Sequence, residues 1–335
     1  MTIYSIYNLI NIELITDKKK YINYFNNEYS RMHKNTQRDD IPTVRVIIAK
    51  KIPNEYRYVT RKYCFKRLFT YTYVVDDVDE KITKIYFKSH VMDKIYINAV
   101  CVFIQSQLVE PVIYYKLLQE NILLMHAAGV SINDQGIMMA AYGGTGKTTF
   151  SLKLVSLGYK LLGDDLIPVD SSKGLAFPYP RPLHLFSYNI KTLEGANVPI
   201  RYKIIIKLKD ILRHLMEKLT REQFLITTRI HAEELYSEDI WSNNVFIKQI
   251  ILLKKEGDHE YYDTKSENDL AIVLKKIVDS SDLSKSFNEN ILVDPNQRNY
   301  FREIEIEVIN KLLVQYDKIY SLNILKNNMM KYINF

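Results

Sequence analysis

The chain has 335 residues, of which 47% are hydrophobic and 25% charged, and a formal net charge of +7. That length can bury a substantial core and suits two domains, and the proportions exclude a disordered or fibrous chain. No run of 18 or more uninterrupted apolar residues occurs, so no membrane span is expected. Asn8, Asn11 and Glu13 break up the apolar N-terminus, which is not the pattern of a secretory signal. Cys64 and Cys101 are the only cysteines and lack metal-ligand spacing. Zinc chemistry is therefore without support, and a reducing cytoplasm is the simplest setting.

The first segment, about residues 1–120, reads as a β-rich domain. Residues 56–60, 68–75 and 82–88 have the β-branched and aromatic content of strands, and Asp76–Glu80 is a polar turn between two of them. The stretch 16–40 is polar and reads as a loop or a solvated helix. Residues 95–108 fit either a strand or the start of a helix, and residues 111–121 a helix after Pro111. This segment carries 19 Lys/Arg against 13 Asp/Glu, whereas residues 121–335 carry 27 against 26. The basic excess is either an ordinary solvated surface or a recognition surface for an acidic partner. Helix-turn-helix, zinc-finger and RNP-type aromatic motifs are missing from the sequence, which disfavours nucleic acid as that partner.

A second domain, residues 121–335, reads as α/β, with its core beginning near Leu123. His126–Ile132 and Ile137–Ala141 flank Asn133-Asp134-Gln135-Gly136, a tight hairpin signal. Pairing residue 133 with 136 places His126 opposite position 143, beside the loop that follows. That loop reads Ala141-Tyr142-Gly143-Gly144-Thr145-Gly146-Lys147-Thr148-Thr149, which departs from G-x-x-x-x-G-K-[ST] only at Ala141. Glycines there let successive N–H groups curl around an anionic oxygen. Lys147 adds a positive charge, and the Thr148 hydroxyl can ligate Mg²⁺. An apolar strand before the loop and a helix after it, 150–157 closed by Gly158, supply the context of a phosphate site. Gly143, Gly144, Thr145, Gly146, Lys147, Thr148 and Thr149 are the expected nucleotide contacts.

A short strand over 159–163 leads to Asp164-Asp165, only 17 residues beyond Lys147. Paired carboxylates at a strand end beside a phosphate loop suit two tasks, holding Mg²⁺ and accepting a hydroxyl proton. The closeness of the acids to the loop argues against a GTPase, helicase or transporter ATPase. Three prolines stiffen Phe177–His184 into an extended segment, from which Arg181 and His184 could reach substrate or phosphate. Residues 203–218 carry a helical pattern, 246–254 a strand, and 267–279 and part of 300–330 amphipathic helices. His231 is isolated and reads as structural.

His126, the loop, its helix, Asp164-Asp165 and the Pro-rich segment, in that order, resemble the HPr kinase/phosphorylase family, whose fold is related to phosphoenolpyruvate carboxykinase. The likeness is clear over about residues 123–184 and loose beyond. It implies a P-loop core of mixed sheet and flanking helices that binds ATP and Mg²⁺. By motif position, Lys147 and Thr148 become phosphate and Mg²⁺ contacts and His126 the active-site histidine. Asp164 is taken as the base and Asp165 as the metal ligand. A Gly-Arg-Asn signature of the bifunctional members is missing downstream. The chain is thus more similar to divergent kinases of this group, some of which phosphorylate a serine on precursors of ribosomally made peptides, lasso-peptide precursors among them. The expected activity is ATP-dependent phosphorylation of a hydroxyl, with a serine on a peptide or small protein favoured. A small-molecule kinase of the same fold and a non-catalytic nucleotide-binding module are the alternatives. The resemblance allows a homo-oligomer, which no sequence feature demands.

Overall fold

A computed structural model describes the whole chain apart from residues 30, 33–39, 54–59, 66–68, 191–197, 222–227, 256–259, 264–269, 280, 281, 293, 317 and 324–335. The protein is a mixed α/β structure whose sheets contain both parallel and antiparallel pairs. Its packing divides into two units. The first takes Met1–Leu117, Leu212–Leu225 and Asp282–Asn299; the second takes Leu118–Ile211, Ile226–Ser281 and Tyr300–Phe335. The first unit thus combines the N-terminal segment with two later segments of the chain.

The first unit opens with a hairpin absent from the sequence reading. Its strands are β1 (Thr2–Ile6) and β2 (Ile10–Ile15), joined through Tyr7 and Asn8, both at positive φ. Residues 19–29, expected as loop or solvated helix, form α1 (Lys19–Tyr29), which buries Tyr21, Phe25 and Tyr29. These aromatics recur at i, i+4 and i+8 and so share one helix face. β3 (Thr43–Ala49) lies parallel to β2, and its Arg45 sits opposite Glu13 with a 2.5 Å Nε–Oε2 contact. β4 (Arg61–Phe65), β5 (Phe69–Asp76) and β6 (Ile82–Lys88) complete a sheet of order β1-β2-β3-β6-β5-β4. β5 and β6 match the expected strands; the one expected over 56–60 lies, Thr60 apart, outside the described residues.

Residues 95–108 resolve as helix. α2 (Ile97–Phe103), a π-turn over Ile104–Val109 and α3 (Glu110–Gln119) run on without a break. By length and composition alone this stretch could cross a membrane, but 67% of its apolar window is buried inside the protein. Val100, Phe103, Ile104 and Leu108 are core residues. From the later part of this unit, the carbonyls of Glu289, Ile291 and Leu292 accept hydrogen bonds from Arg61 at 2.8–3.0 Å.

The second unit is organised by β7 (Ile122–Ile132), buried along nearly its whole length. β8 (Gln135–Ala140) returns antiparallel to it. The register differs by two residues from the expected one, with Ile132 opposite Gln135 and Ala127 opposite Ala140. Asn133 and Asp134 are the two turn residues, at φ 50° and 59°. A two-residue hairpin turn needs positive φ, which Asn and Asp tolerate and Gln resists. This register brings His126 level with Ala141, where the loop begins, rather than with position 143, and on its other edge His126 pairs with Leu166.

Beyond the loop come α4 (Lys147–Ser156), β9 (Lys160–Gly163), β10 (Leu166–Asp170), β11 (Leu175–Ala176) and β12 (Leu183–Leu185). Then follow α5 (Ser187–Ile190), α6 (Ile200–Thr220), β13 (Thr228–Ile230), β14 (Val245–Lys254), β15 (Glu260–Asp263), α7 (Leu270–Asp279), the helix Pro295–Leu313 and β16 (Lys318–Asn323). The main sheet runs β11-β10-β7-β8-β14-β16-β15, with β9 also on β7; β14 is parallel to both β8 and β16. Phe150 and Leu154 of α4 bury with Val130, Met139, Ile251 and Leu322 of the sheet. Each such side chain contributes about 1.5–3 kcal/mol, and together they fix the loop at the head of α4.

Gly163 ends β9 immediately before the acid pair. A Cβ there would stand 2.8 Å from the backbone oxygen of Leu166, so a methyl group forces the turn carrying Asp164 and Asp165 to move. Gly163→Ala should cost about 1–3 kcal/mol, read as a lower thermal midpoint; an unchanged midpoint would show that the turn yields freely.

Candidate phosphoryl-transfer site

β8 delivers the chain into the loop. Ala141, standing where the motif has Gly, is fully buried and packs in the same core as Val130 and Phe150. Gly144 and Gly146 have φ of 72° and 105°, a region closed to most L side chains. Nothing lies within 4 Å of a Cβ placed on Gly143 or Gly144, so the loop presents an open face. Gly146 begins α4 with no side-chain cap, which leaves the first amides of the helix for an anion. Thr145 is buried, while Thr148 and Thr149 are half-buried.

Lys147 is 7% exposed. Its Nζ donates to the carbonyl of Ala141 at 2.7 Å and more weakly to that of Tyr142 at 3.4 Å, and lies 3.1 Å from His126 Nε2. Burial lowers its pKa, opposed by the charges of Asp165 and Asp164. His126 lies within β7, its ring buried. Nδ1 faces the carbonyl of Ile277 on α7 at 3.3 Å, while Nε2 also meets Asp165 Oδ1 at 3.2 Å. A carbonyl can only accept, so the ring proton belongs on Nδ1. Nε2 is then the acceptor that faces the Lys147 ammonium.

The two aspartates occupy different environments. Asp164 Oδ2 accepts from the Thr148 hydroxyl at 3.2 Å, and its Oδ1 is buried with no hydrogen-bond partner among the described residues. Burial, followed by the Asp165 charge, pushes its carboxyl up to about 7, against the pull of Thr148 and Lys147. Asp165 has a side chain 60% exposed. Burial of its surroundings would raise it, but the His126 hydrogen bond and the charges of His126, His184 and Lys147 prevail and hold it below the usual carboxylate range. Water reaching that side chain moderates those charges.

The Pro-rich segment is tied down by the Tyr179 amide, which donates to Leu162 O on β9 at 2.7 Å. Asp164, Asp165, Leu166, Tyr179, Arg181, Pro182 and His184 together line one small cleft. Arg181 and His184 thus face the acid pair, as anticipated. Thr148 contacts Asp164, and no described contact joins it to Asp165, the partner expected for it at a metal. His231 opens a short 3₁₀ turn and is not in the cleft. The Ile277 carbonyl and Tyr179 were missed by sequence reasoning: one is a backbone atom of an ordinary amphipathic helix, the other an aromatic between prolines.

No family model matches the chain, and no curated protein matches it.

Because Asp164 is raised, the native state holds a proton that the unfolded chain releases above about pH 4. The stability this gives is present at low pH and is lost as pH rises toward about 7, above which the native state carries a poorly solvated charge. Without nucleotide or metal, Asp164→Asn should therefore raise the melting temperature at pH 8 by about 2–4 °C and by less at pH 5. An equal or reversed effect would contradict the assigned environment.

Proposed function

We propose that the protein is an ATP- and Mg²⁺-dependent kinase that transfers the γ-phosphate to a hydroxyl, a serine of a peptide or small protein being the favoured acceptor. The observation that carries this reading is the convergence of Lys147, His126 and Asp165 within 3.2 Å contacts beneath an open phosphate loop. Phosphoryl transfer needs little covalent chemistry from a protein. It needs positioned cations, a metal and a group to take the hydroxyl proton.

The loop amides and Lys147 would hold the β- and γ-phosphates. Among the described residues no group of three or more His, Cys, Asp or Glu could hold a metal on its own. That suits Mg²⁺, which takes one or two protein ligands, nucleotide oxygens and water. Thr148 and Asp164 fit it, since Asp164 Oδ1 is a buried carboxylate oxygen without a partner among the described residues. When bound, the ion neutralises charge on the phosphates.

Asp165 would accept the hydroxyl proton, steered by His126. This exchanges the roles that the sequence reading gave the two aspartates, and access supports the exchange. An acceptor hydroxyl can meet the exposed Asp165, whereas Asp164 Oδ1 lies out of its reach. Arg181 and His184 would contact the acceptor or the phosphoryl group. The retained acid pair argues against a purely binding module. A cytoplasmic location suits the two free cysteines. The resemblance to HPr kinase-like enzymes belongs to the same proposal, supported by the loop, the histidine and the acids on the next strand.

Incubation with ATP, Mg²⁺ and serine-bearing peptides or small proteins should add one phosphate, read by mass. Lys147→Ala and Asp165→Asn should each lower kcat/KM by about 100-fold or more. Undiminished transfer in both variants overturns the assignment. Phosphate appearing only on free amino acids or sugars would make the protein a small-molecule kinase, and nucleotide binding without any transfer a binding module.

A further inference from the structure

The helix α6 is turned inside out. Among its described side chains only Ile206 is fully buried, and the face that packs carries Tyr202, Asp210 and Arg213 beside it. Asp210 accepts from the amide of Ser187 at 3.3 Å. The apolar stripe points outward. Ile200, Ile204, Leu208, Ile211, Leu215 and Leu219 recur every three or four residues and are 52–76% exposed. They form one continuous face of a helix about 30 Å long. Scattered exposed leucines are ordinary; an unbroken stripe of this length marks an interaction surface.

Charge and shape say what covers it. Lys203, Lys207, His214 and Lys218 are exposed along one border of the stripe. The only acids of the helix, Asp210 and Glu217, are half-buried away from it. The outward half of α6 is thus apolar and cationic without an exposed acid, which complements an anionic surface. A partner helix would cover the stripe but leave the lysine border unmatched, whereas an apolar cylinder bordered by lysines suits a deformable anionic plane. We propose that α6 lies flat on an anionic lipid bilayer, its stripe at the acyl boundary and its lysines among the headgroups. This surface is independent of the phosphate site and of the function assigned to it.

The test is co-flotation of the full chain with phosphatidylcholine vesicles containing phosphatidylglycerol, against phosphatidylcholine alone. Binding should require the anionic lipid and weaken with salt. The triple variant Leu208→Ser, Ile211→Ser, Leu215→Ser should lose about tenfold or more in vesicle affinity, with its circular dichroism spectrum retained. Should it fail to fold, Lys203→Gln, Lys207→Gln, Lys218→Gln replaces it; that variant leaves the stripe intact and should lose the preference for anionic lipid by a similar factor. No binding to anionic vesicles, or equal binding by the variants, overturns the proposal. A concentration-dependent dimer in sedimentation that the serine variant abolishes also overturns it, in favour of a second copy of the chain.

Discussion

A lysine ammonium buried at the head of a sheet is the constraint on which the site depends. Lys147 cannot stay charged at 7% exposure without partners. It finds them in the Ala141 carbonyl below, in His126 from β7 and in the field of two aspartates from the β9–β10 turn. The carbonyl lies just past the end of β8, the histidine within β7 and the aspartates just past β9, so the sheet register, the loop conformation and the position of α4 must all be correct together. Ala141 helps by filling the core beneath the loop rather than leaving it flexible. A connected polar cluster of this kind rigidifies what it joins, with Asp164 Oδ1 the one buried member atom left without a hydrogen-bond partner among the described residues.

The adjacent aspartates show how one turn yields two chemistries. Asp164 is drawn inward against Thr148 and kept near neutrality by burial; Asp165 faces the cleft and is held ionised by His126. Neighbouring titratable groups whose environments push them apart are a common basis for dividing labour in an active site. Here the division follows from side-chain placement in the turn, with Asp164 against Thr148 and Asp165 against His126.

The local parts of this site were legible in the sequence. The glycine loop, the helix after it, the short strand before the acids and the hairpin that brings His126 near all rest on neighbouring residues. The hairpin register was misjudged by two residues because the choice of turn pair depends on φ tolerance, and Asn133-Asp134 competed with a following Gly. β1 and β2 were missed because Asn11 and Glu13 looked like interruptions. Both are buried, and Glu13 is paired by Arg45 from a strand some thirty residues on. α1 was read as solvated because its aromatics are outnumbered by polar residues. The Ile277 carbonyl that sets the His126 tautomer, and the outward stripe of α6, depend on distant packing that no local pattern records.

The proposed nucleotide site would hold its metal on Thr148 and Asp164. Its most direct test is equilibrium binding of a non-hydrolysable ATP analogue to the full chain, with and without Mg²⁺, in wild type and Asp164→Asn. The expected result is Mg²⁺-strengthened binding in wild type, with only that strengthening lost in the variant. Binding that is the same with and without Mg²⁺, or no binding at all, would contradict it.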